Sequence, residues 1–173
     1  MYNTLIALVQ NAQDAEELTQ DVFVEVFRSA TTFKGGSTLF TWMYRISVNK
    51  ALDHLKYKKR QKRFAFLSSL FHPETNEPIA GASDFVHPGV VLERREQSAI
   101  LFRAIGRLPD KQQSAFVLYE LEGLSYTEIS EVMQTSIPSV ESLLFRARQG
   151  LRNQLEGWYE KKKTTHSAGF ENR

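Results

Sequence analysis

Cysteine is absent from the 173 residues, which excludes disulfides, thiolate metal sites and a thiol nucleophile. No apolar run approaches the ~18 to 20 residues that a membrane-spanning helix needs, and the N-terminus lacks the basic, apolar and small-residue order of a secretory signal. A cytoplasmic protein with no membrane contact of its own is therefore expected. Charge of one sign is also lacking: 22 Lys and Arg stand against 20 Asp and Glu, a net charge of +2 at pH 7. Any electrostatic function must then come from where the charges sit. The Glu-x-x-His spacing of carboxylate metal bundles occurs nowhere, and no GxxxxGK phosphate loop is present. The four histidines, His54, His72, His87 and His166, are scattered. These absences leave no metal, cofactor or catalytic residue to expect, and the chain reads as a non-enzyme. With 42% hydrophobic and 24% charged residues it still has enough apolar material to fold.

Helical periodicity dominates what is there. Ala15, Leu18, Val22 and Val26 form one stripe, with Phe23 and Phe27 widening it. Asn11 and Asp14 precede this helix as caps, and Glu16 and Glu17 meet the positive end of its dipole. Phe33-Lys34-Gly35-Gly36-Ser37 is read as a loop, because paired glycines cost roughly 1 kcal/mol each inside a helix. A second helix should open at Ser37 or Thr38 and run through Trp42, Ile46 and Leu52 to Arg63. Residues 64–91, with Pro73, Pro78 and Pro88, show no sustained period and read as a flexible linker.

Periodicity returns at Leu92. Ile100, Leu101, Ala104, Ile105 and Leu108 belong to a helix that stops near Gly106. Pro109 then opens another, carrying Ala115, Phe116, Leu118, Tyr119 and Leu121 to Gly123. Ser125 with Glu128 forms a capping box for a short helix containing Ile129 and Val132. Beyond Ser136-Ile137-Pro138 a long helix places Val140, Leu143, Leu144, Ala147, Leu151 and Leu155 on its apolar face, and residues 161–173 look frayed. No strand signal survives. The expected fold class is all-α: two small helical domains, 1–63 and 92–160, joined by the linker.

Two features point to nucleic acid. A short capped helix, a turn at residues 134–138 and a longer helix make the order of a helix-turn-helix, whose second helix enters the major groove. On that helix Ser139, Ser142, Phe145, Arg146 and Gln149 share one face, and Arg148 and Arg152 can reach phosphates. A helical hairpin with a solvated basic face is the bland alternative. The second feature is the run Lys50, Lys56, Lys58, Lys59, Arg60, Lys62 and Arg63, opposed along the sequence by Asp53 alone. Phe33, Phe40, Trp42 and Tyr44 lie just upstream, and rings beside cations suit unpaired DNA, since stacking contributes ~1 to 3 kcal/mol per base. Trp42 reads as a core residue; Phe33 on its glycine loop and Asn49 read as exposed. Glu16, Glu17, Gln20, Asp21 and Glu25 form an acidic helix face, either solvated or a protein contact.

Three blocks of residues carry a family resemblance. Asp14-Ala15-Glu16-Glu17-Leu18-Thr19-Gln20-Asp21-Val22-Phe23 resembles the polymerase-binding helix of sigma region 2. Phe33-Lys34-Gly35-Gly36, Thr41-Trp42-Met43-Tyr44-Arg45-Ile46, Asn49 and Asp53 resemble the promoter-melting segment of extracytoplasmic-function sigma factors. Leu108-Pro109, Ala115-Phe116, Gly123 to Ile129 and Ser139 to Arg148 resemble region 4 of that family. The blocks follow the family's order and spacing over nearly the whole chain outside the linker and tail.

The resemblance implies a non-enzymatic initiation factor that directs RNA polymerase to promoters. Glu16, Glu17, Gln20, Asp21, Phe23 and Glu25 would meet the clamp helices of the polymerase's largest subunit, and region 4 would meet its flap. Phe33 and Asn49 match positions of the pocket for a flipped minus-10 base, with Lys34, Gly35, Ser37 and Thr38 in the specificity loop. Tyr44, Arg45, Lys50 and Lys56 would flank the melted strand. An extruded base needs an aromatic face and a hydrogen-bonding edge, so the chemistry agrees. Ser139, Glu141, Ser142, Phe145, Arg146, Arg148, Gln149 and Arg152 would read the minus-35 element. Glu141 stands where many relatives have Lys or Arg, and would accept from a cytosine amino group or turn aside. The family usually has another helix's worth of residues before Met1, so the chain reads as a late start. An anti-sigma protein is an expected partner besides polymerase and promoter DNA. The competing readings are a helix-turn-helix regulator that binds duplex DNA alone and, more remotely, a helical metal-dependent hydrolase.

Overall fold

The computed structural model describes the backbone of residues 1–71 and 92–168, and the side chains of residues 1–64 and 98–156. The described residues are helical throughout: α1 (Tyr2–Val9), α2 (Ala12–Ser29), a 3-10 turn (Ala30–Thr32), α3 (Leu39–Phe71), α4 (Leu92–Gly106), α5 (Asp110–Glu120), α6 (Tyr126–Met133) and α7 (Ile137–Ala168). The all-α class and the two helical units are as expected. Three boundaries differ. Helix α3 continues past Arg63 to Phe71, so only residues 72–91 of the expected linker remain, and they lie outside the described residues. Helix α7 runs to Ala168, into the stretch read as a frayed tail. Pro109 caps α5 rather than occupying its first turn.

Helix α1 was not anticipated at all. Besides Tyr2 its polar side chains are only Asn3, exposed, and Thr4, buried, too few to mark a polar stripe; Leu5, Ile6, Ala7 and Leu8 are all buried. It packs on α2 and α3 in one unit and on α4 and α5 in the other. The two units share a continuous core, from Leu5, Ala15, Val22 and Val48 to Ile105, Leu118, Ile129 and Leu144.

Local signals explain most helix ends. The Asn11 side chain accepts from the Asp14 N–H, and Thr38 does the same for Thr41, so each satisfies an orphan backbone donor at a helix start. Ser125 and Glu128 form the expected capping box. Gly123, at φ +69°, ends the α5 turn in the left-handed region that favours glycine.

One stripe was misread. In α2, Ala15, Leu18 and Val22 are buried, but Phe23 and Phe27 are 52% and 85% exposed. Phe23 sits about 100° around the helix from Val22. It joins Glu16, Gln20 and Phe27 at spacings of three and four on the outer face. Leu101 and Leu121, expected inside, also face outward.

Candidate nucleic-acid interface

Helices α6 and α7 form the expected helix-turn-helix. Val140, Leu144, Ala147 and Leu151 line the buried side of α7, at spacings of four and three. The opposite side is thereby turned outward. Glu141, Ser142, Phe145, Arg146, Arg148, Gln149 and Arg152 are exposed there and Ser139 is half-buried. Phe145, a large apolar ring, is 68% exposed. Burying such a ring in water-free contact is worth about 1.5 to 3 kcal/mol, which a partner seated on this face would gain.

Arg148 differs from its neighbours. Its Nη2 lies 3.2 Å from Glu120 Oε1, and its guanidinium carbon stands 5.1 Å over the Tyr119 ring, which itself packs on Tyr126. The Glu120 carboxylate beside it strengthens its hold on the proton. Arg148 thus ties α7 to α5, while Arg146 and Arg152 make no ion pair among the described residues.

In the N-terminal unit the loop 33–38 meets the start of α3. Gly35, at φ +73°, makes the turn. Lys34, Gly35 and Thr38 are exposed and Ser37 half-buried. Trp42 is core, as expected, at 8% exposure. Phe33 is half-buried rather than exposed, because its ring packs against Trp42 with centroids 5.2 Å apart. Asn49 is exposed and lies two turns beyond Trp42 on the same side of α3. The structure therefore brings a loop aromatic and an amide to one face, with Arg45 and Lys50 half-buried nearby along the helix.

The basic run is more heavily countered than its sequence indicated. Lys56 pairs with Asp53 at 3.0 Å, Lys58 with Asp14 at 2.5 Å and Lys59 with Asp110 at 2.6 Å. Asp14 and Asp110 come from other helices, so no local reading could find them. Lys50, Arg60, Lys62 and Arg63 make no ion pair among the described residues. Burial raises the Asp14 carboxyl, but Lys58 and His54 outweigh it and hold the group below its ordinary value. Tyr44 donates to Glu122 Oε2 at 2.5 Å; burial first, then the Glu122 carboxylate, push the phenol far above its ordinary range.

On α2 the exposed face carries Glu16, Glu17, Gln20, Asp21 and Phe23, with Glu25 half-buried at its edge. Val24 and Phe27, exposed at 47% and 85%, enlarge this face and were not read as part of it. Their signal was present: large apolar residues spaced with the acidic ones, not with the buried stripe.

Comparison with known proteins decides what these surfaces belong to. Residues 1–61 match the family model for sigma-70 region 2, and residues 98–151 match that for sigma-70 region 4. The RNA polymerase sigma-H factor of Pseudomonas aeruginosa is 32% identical over 152 residues, covering 88% of this chain and 78% of the relative. The chain is a sigma factor of the extracytoplasmic-function type. The ECF RNA polymerase sigma-E factor of Escherichia coli K12 is 30% identical over 153 residues, covering 88% of this chain and 80% of that one. Among solved structures, the sigma factor RpoE in complex with the anti-sigma factor NepR from Bartonella quintana superposes with a TM-score of 0.70. It has 22% identity and covers 90% of this chain and 89% of that one. CnrH in complex with the cytosolic domain of CnrY gives 0.62 at 20% identity, covering 90% and 80%. Both support the fold. The sigma factor has region 2 in α1 to α3 and region 4 in α4 to α7, and no described helix is long and apolar enough to cross a membrane.

Proposed function

We propose that this sigma factor divides promoter recognition between the two faces described above and works in the cytoplasm without catalysing a reaction. The outward face of α7, through Ser139, Ser142, Phe145, Arg146 and Gln149, reads the minus-35 duplex, with Arg152 on phosphate. Glu141, exposed at the same helix start, accepts from a cytosine amino group. Arg148 fixes the angle of α7 through Glu120. In region 2, Phe33 and Asn49 hold a base flipped out of the minus-10 element, over the loop Lys34 to Thr38. Arg45, Lys50 and Lys56 attract the melted strand.

The observation that carries this division is the exposure of Phe145 and Arg146 on a helix whose opposite side is fully buried. The exposed apolar and acidic face of α2 supports core polymerase as a partner, docking on its clamp helices while region 4 meets the flap. A regulator acting alone on duplex DNA has no use for Phe23, Val24 and Phe27 in water. By analogy with the two complexes, an anti-sigma protein is the expected antagonist. Purified chain added to core polymerase should co-elute with it and give run-off transcripts with one shared pair of promoter elements. Failure to bind core enzyme would end this reading.

A further inference from the structure

We propose that the far half of α3 carries a third promoter-reading surface: Tyr57, Arg60, Gln61 and Phe64 form an open groove that takes duplex DNA a few base pairs beyond the flipped minus-10 base. The proposal rests on the reading above, in which Phe33 and Asn49 hold that base. It adds an element that neither this pocket nor α7 touches.

Between His54 and Phe64 there is no acidic residue, and the helix sorts this run by spacing. Lys58 and Lys59 reach Asp14 and Asp110 on other helices. Lys56, Arg60 and Arg63 follow one another at intervals of four and three, starting seven residues after Asn49, so they continue the Asn49 side of α3. Tyr57, Gln61 and Phe64 repeat those intervals one residue later, which sets them about 100° round on a neighbouring stripe. The helix continues to Phe71, so these residues stand within it and not at a fraying end.

The second stripe is a poor match for a face that meets only water. Tyr57 is 53% and Phe64 74% exposed, and with Arg60 and Gln61 they line a groove open to solvent. Gln61 is held in place there: its Nε2 donates to the Tyr57 hydroxyl at 2.7 Å. That bond uses one amide hydrogen and leaves the other, together with Oε1, for the N7 and N6 edge of adenine. Phe64 offers the apolar surface that meets a thymine methyl. Arg60 and Arg63 make no ion pair among the described residues, so their charge is left for phosphate.

Distance along the helix places the element. Tyr57 and Phe64 lie about 12 and 22 Å beyond Asn49 at 1.5 Å per residue, which spans roughly four to seven base pairs at 3.4 Å each. The melted strand is held at the loop end of α3, so the opposite end meets DNA that is still paired. A paired major groove admits a helix and presents base edges to it. A protein occupant suits the groove less well, because the centres of protein interfaces are depleted of charge. Here Lys56, Arg60 and Arg63 flank it, and the nearby acid, Asp53, is already paired with Lys56.

Holoenzyme assembled from the full chain and core polymerase provides the test. It would transcribe a template library randomised at both promoter elements and over about ten base pairs, one duplex turn, on the minus-35 side of the minus-10 element. Wild type should enrich one A·T pair roughly four to seven base pairs from the flipped base, by about tenfold. Gln61→Ala and Phe64→Ala should each bring that enrichment to about twofold or below and leave the other two preferences intact. Arg60→Gln should lower output from every template alike, with a shallower salt dependence. No third preference in wild type, or the same preference in both alanine variants, overturns the proposal. Phe64→Cys supplies the sole thiol of a cysteine-free chain. Carrying an aryl azide, it should crosslink in the holoenzyme to paired DNA at those positions. Crosslinks confined to unpaired DNA or to a polymerase subunit, or none at all, also overturn it. A selection that recovers neither the minus-10 nor the minus-35 element sinks the underlying reading, whereas both elements without the third sink this proposal alone.

Discussion

Regions 2 and 4 solve the same problem, holding a binding face outward, with different architectures. Region 4 commits one helix: α7 buries Val140, Leu144, Ala147 and Leu151 and exposes its reading residues on the reverse side. Region 2 splits the work, giving protein contact to α2 and unpaired DNA to the loop and start of α3. Its first helix, α1, is buried by both units. The difference teaches that region 4's surface is fixed by its own core, whereas region 2's is fixed by polar ties and by a helix held in common.

Core truncation probes this contrast with the largest expected effect. Leu144 and Leu5 are each fully buried, so Leu144→Ala and Leu5→Ala should each cost about 2 to 5 kcal/mol in denaturant unfolding. Their reach should differ. Leu144→Ala should strip protection from amide exchange mainly in α5 to α7, while Leu5→Ala should do so in α2, α3, α4 and α5 together. Exchange loss confined to region 2 in the Leu5 variant would break the claim of a shared helix.

Much of region 4 could be read locally, because each signal lies within a few residues of the element it sets. Ser125 and Glu128 cap, Gly123 stops, and the spacing of Val140, Leu144, Ala147 and Leu151 gives the buried side. Region 2 was less legible for physical reasons. Helix α1 is short, and Asn3 and Thr4 are too few polar residues to mark a period. Phe23 and Phe27 look like core by composition but lie off the Leu18–Val22 line. Asp14, Gln113 and Glu122 have partners that are distant in sequence, from 40 positions for His54 to 118 for Thr4. For the site, Phe33, Asn49 and the α7 face were found by residue type and spacing, while the anchoring of Arg148 and Tyr44 was not.

Crossed substitutions sharpen the division of labour at intermediate size. Arg146→Ala should weaken binding to a minus-35 duplex by about 1 to 3 kcal/mol and leave permanganate reactivity of a pre-bound minus-10 region almost unchanged. Phe33→Ala and Asn49→Ala should do the reverse, with the loss of one stacking platform worth about 1 to 3 kcal/mol. Arg146→Ala and Asn49→Ala should not move the melting temperature as the core truncations do, since both residues are exposed. Equal losses in both assays for both groups would show that the two faces are not separate.

The smallest expected effect concerns how α2 is fastened to α3. Lys58 lies 2.5 Å from Asp14 Oδ2 and His54 Nε2 lies 3.2 Å from the same atom, although the latter contact lacks hydrogen-bond alignment. Burial works against ionisation of Asp14, yet these partners hold its pKa below the ordinary 3.8. A carboxylate depressed on folding adds stability that is fully present above its unfolded pKa and is lost as pH falls through the folded one. Asp14→Asn keeps the shape and removes the charge. Wild type should therefore be more stable than the variant at neutral pH, by no more than about 1 kcal/mol because Lys58 is partly exposed. The two unfolding curves should converge as pH drops below about 4. A difference that persists unchanged into acid would mean that Asp14 acts through packing alone, and that region 2, like region 4, stands on its core.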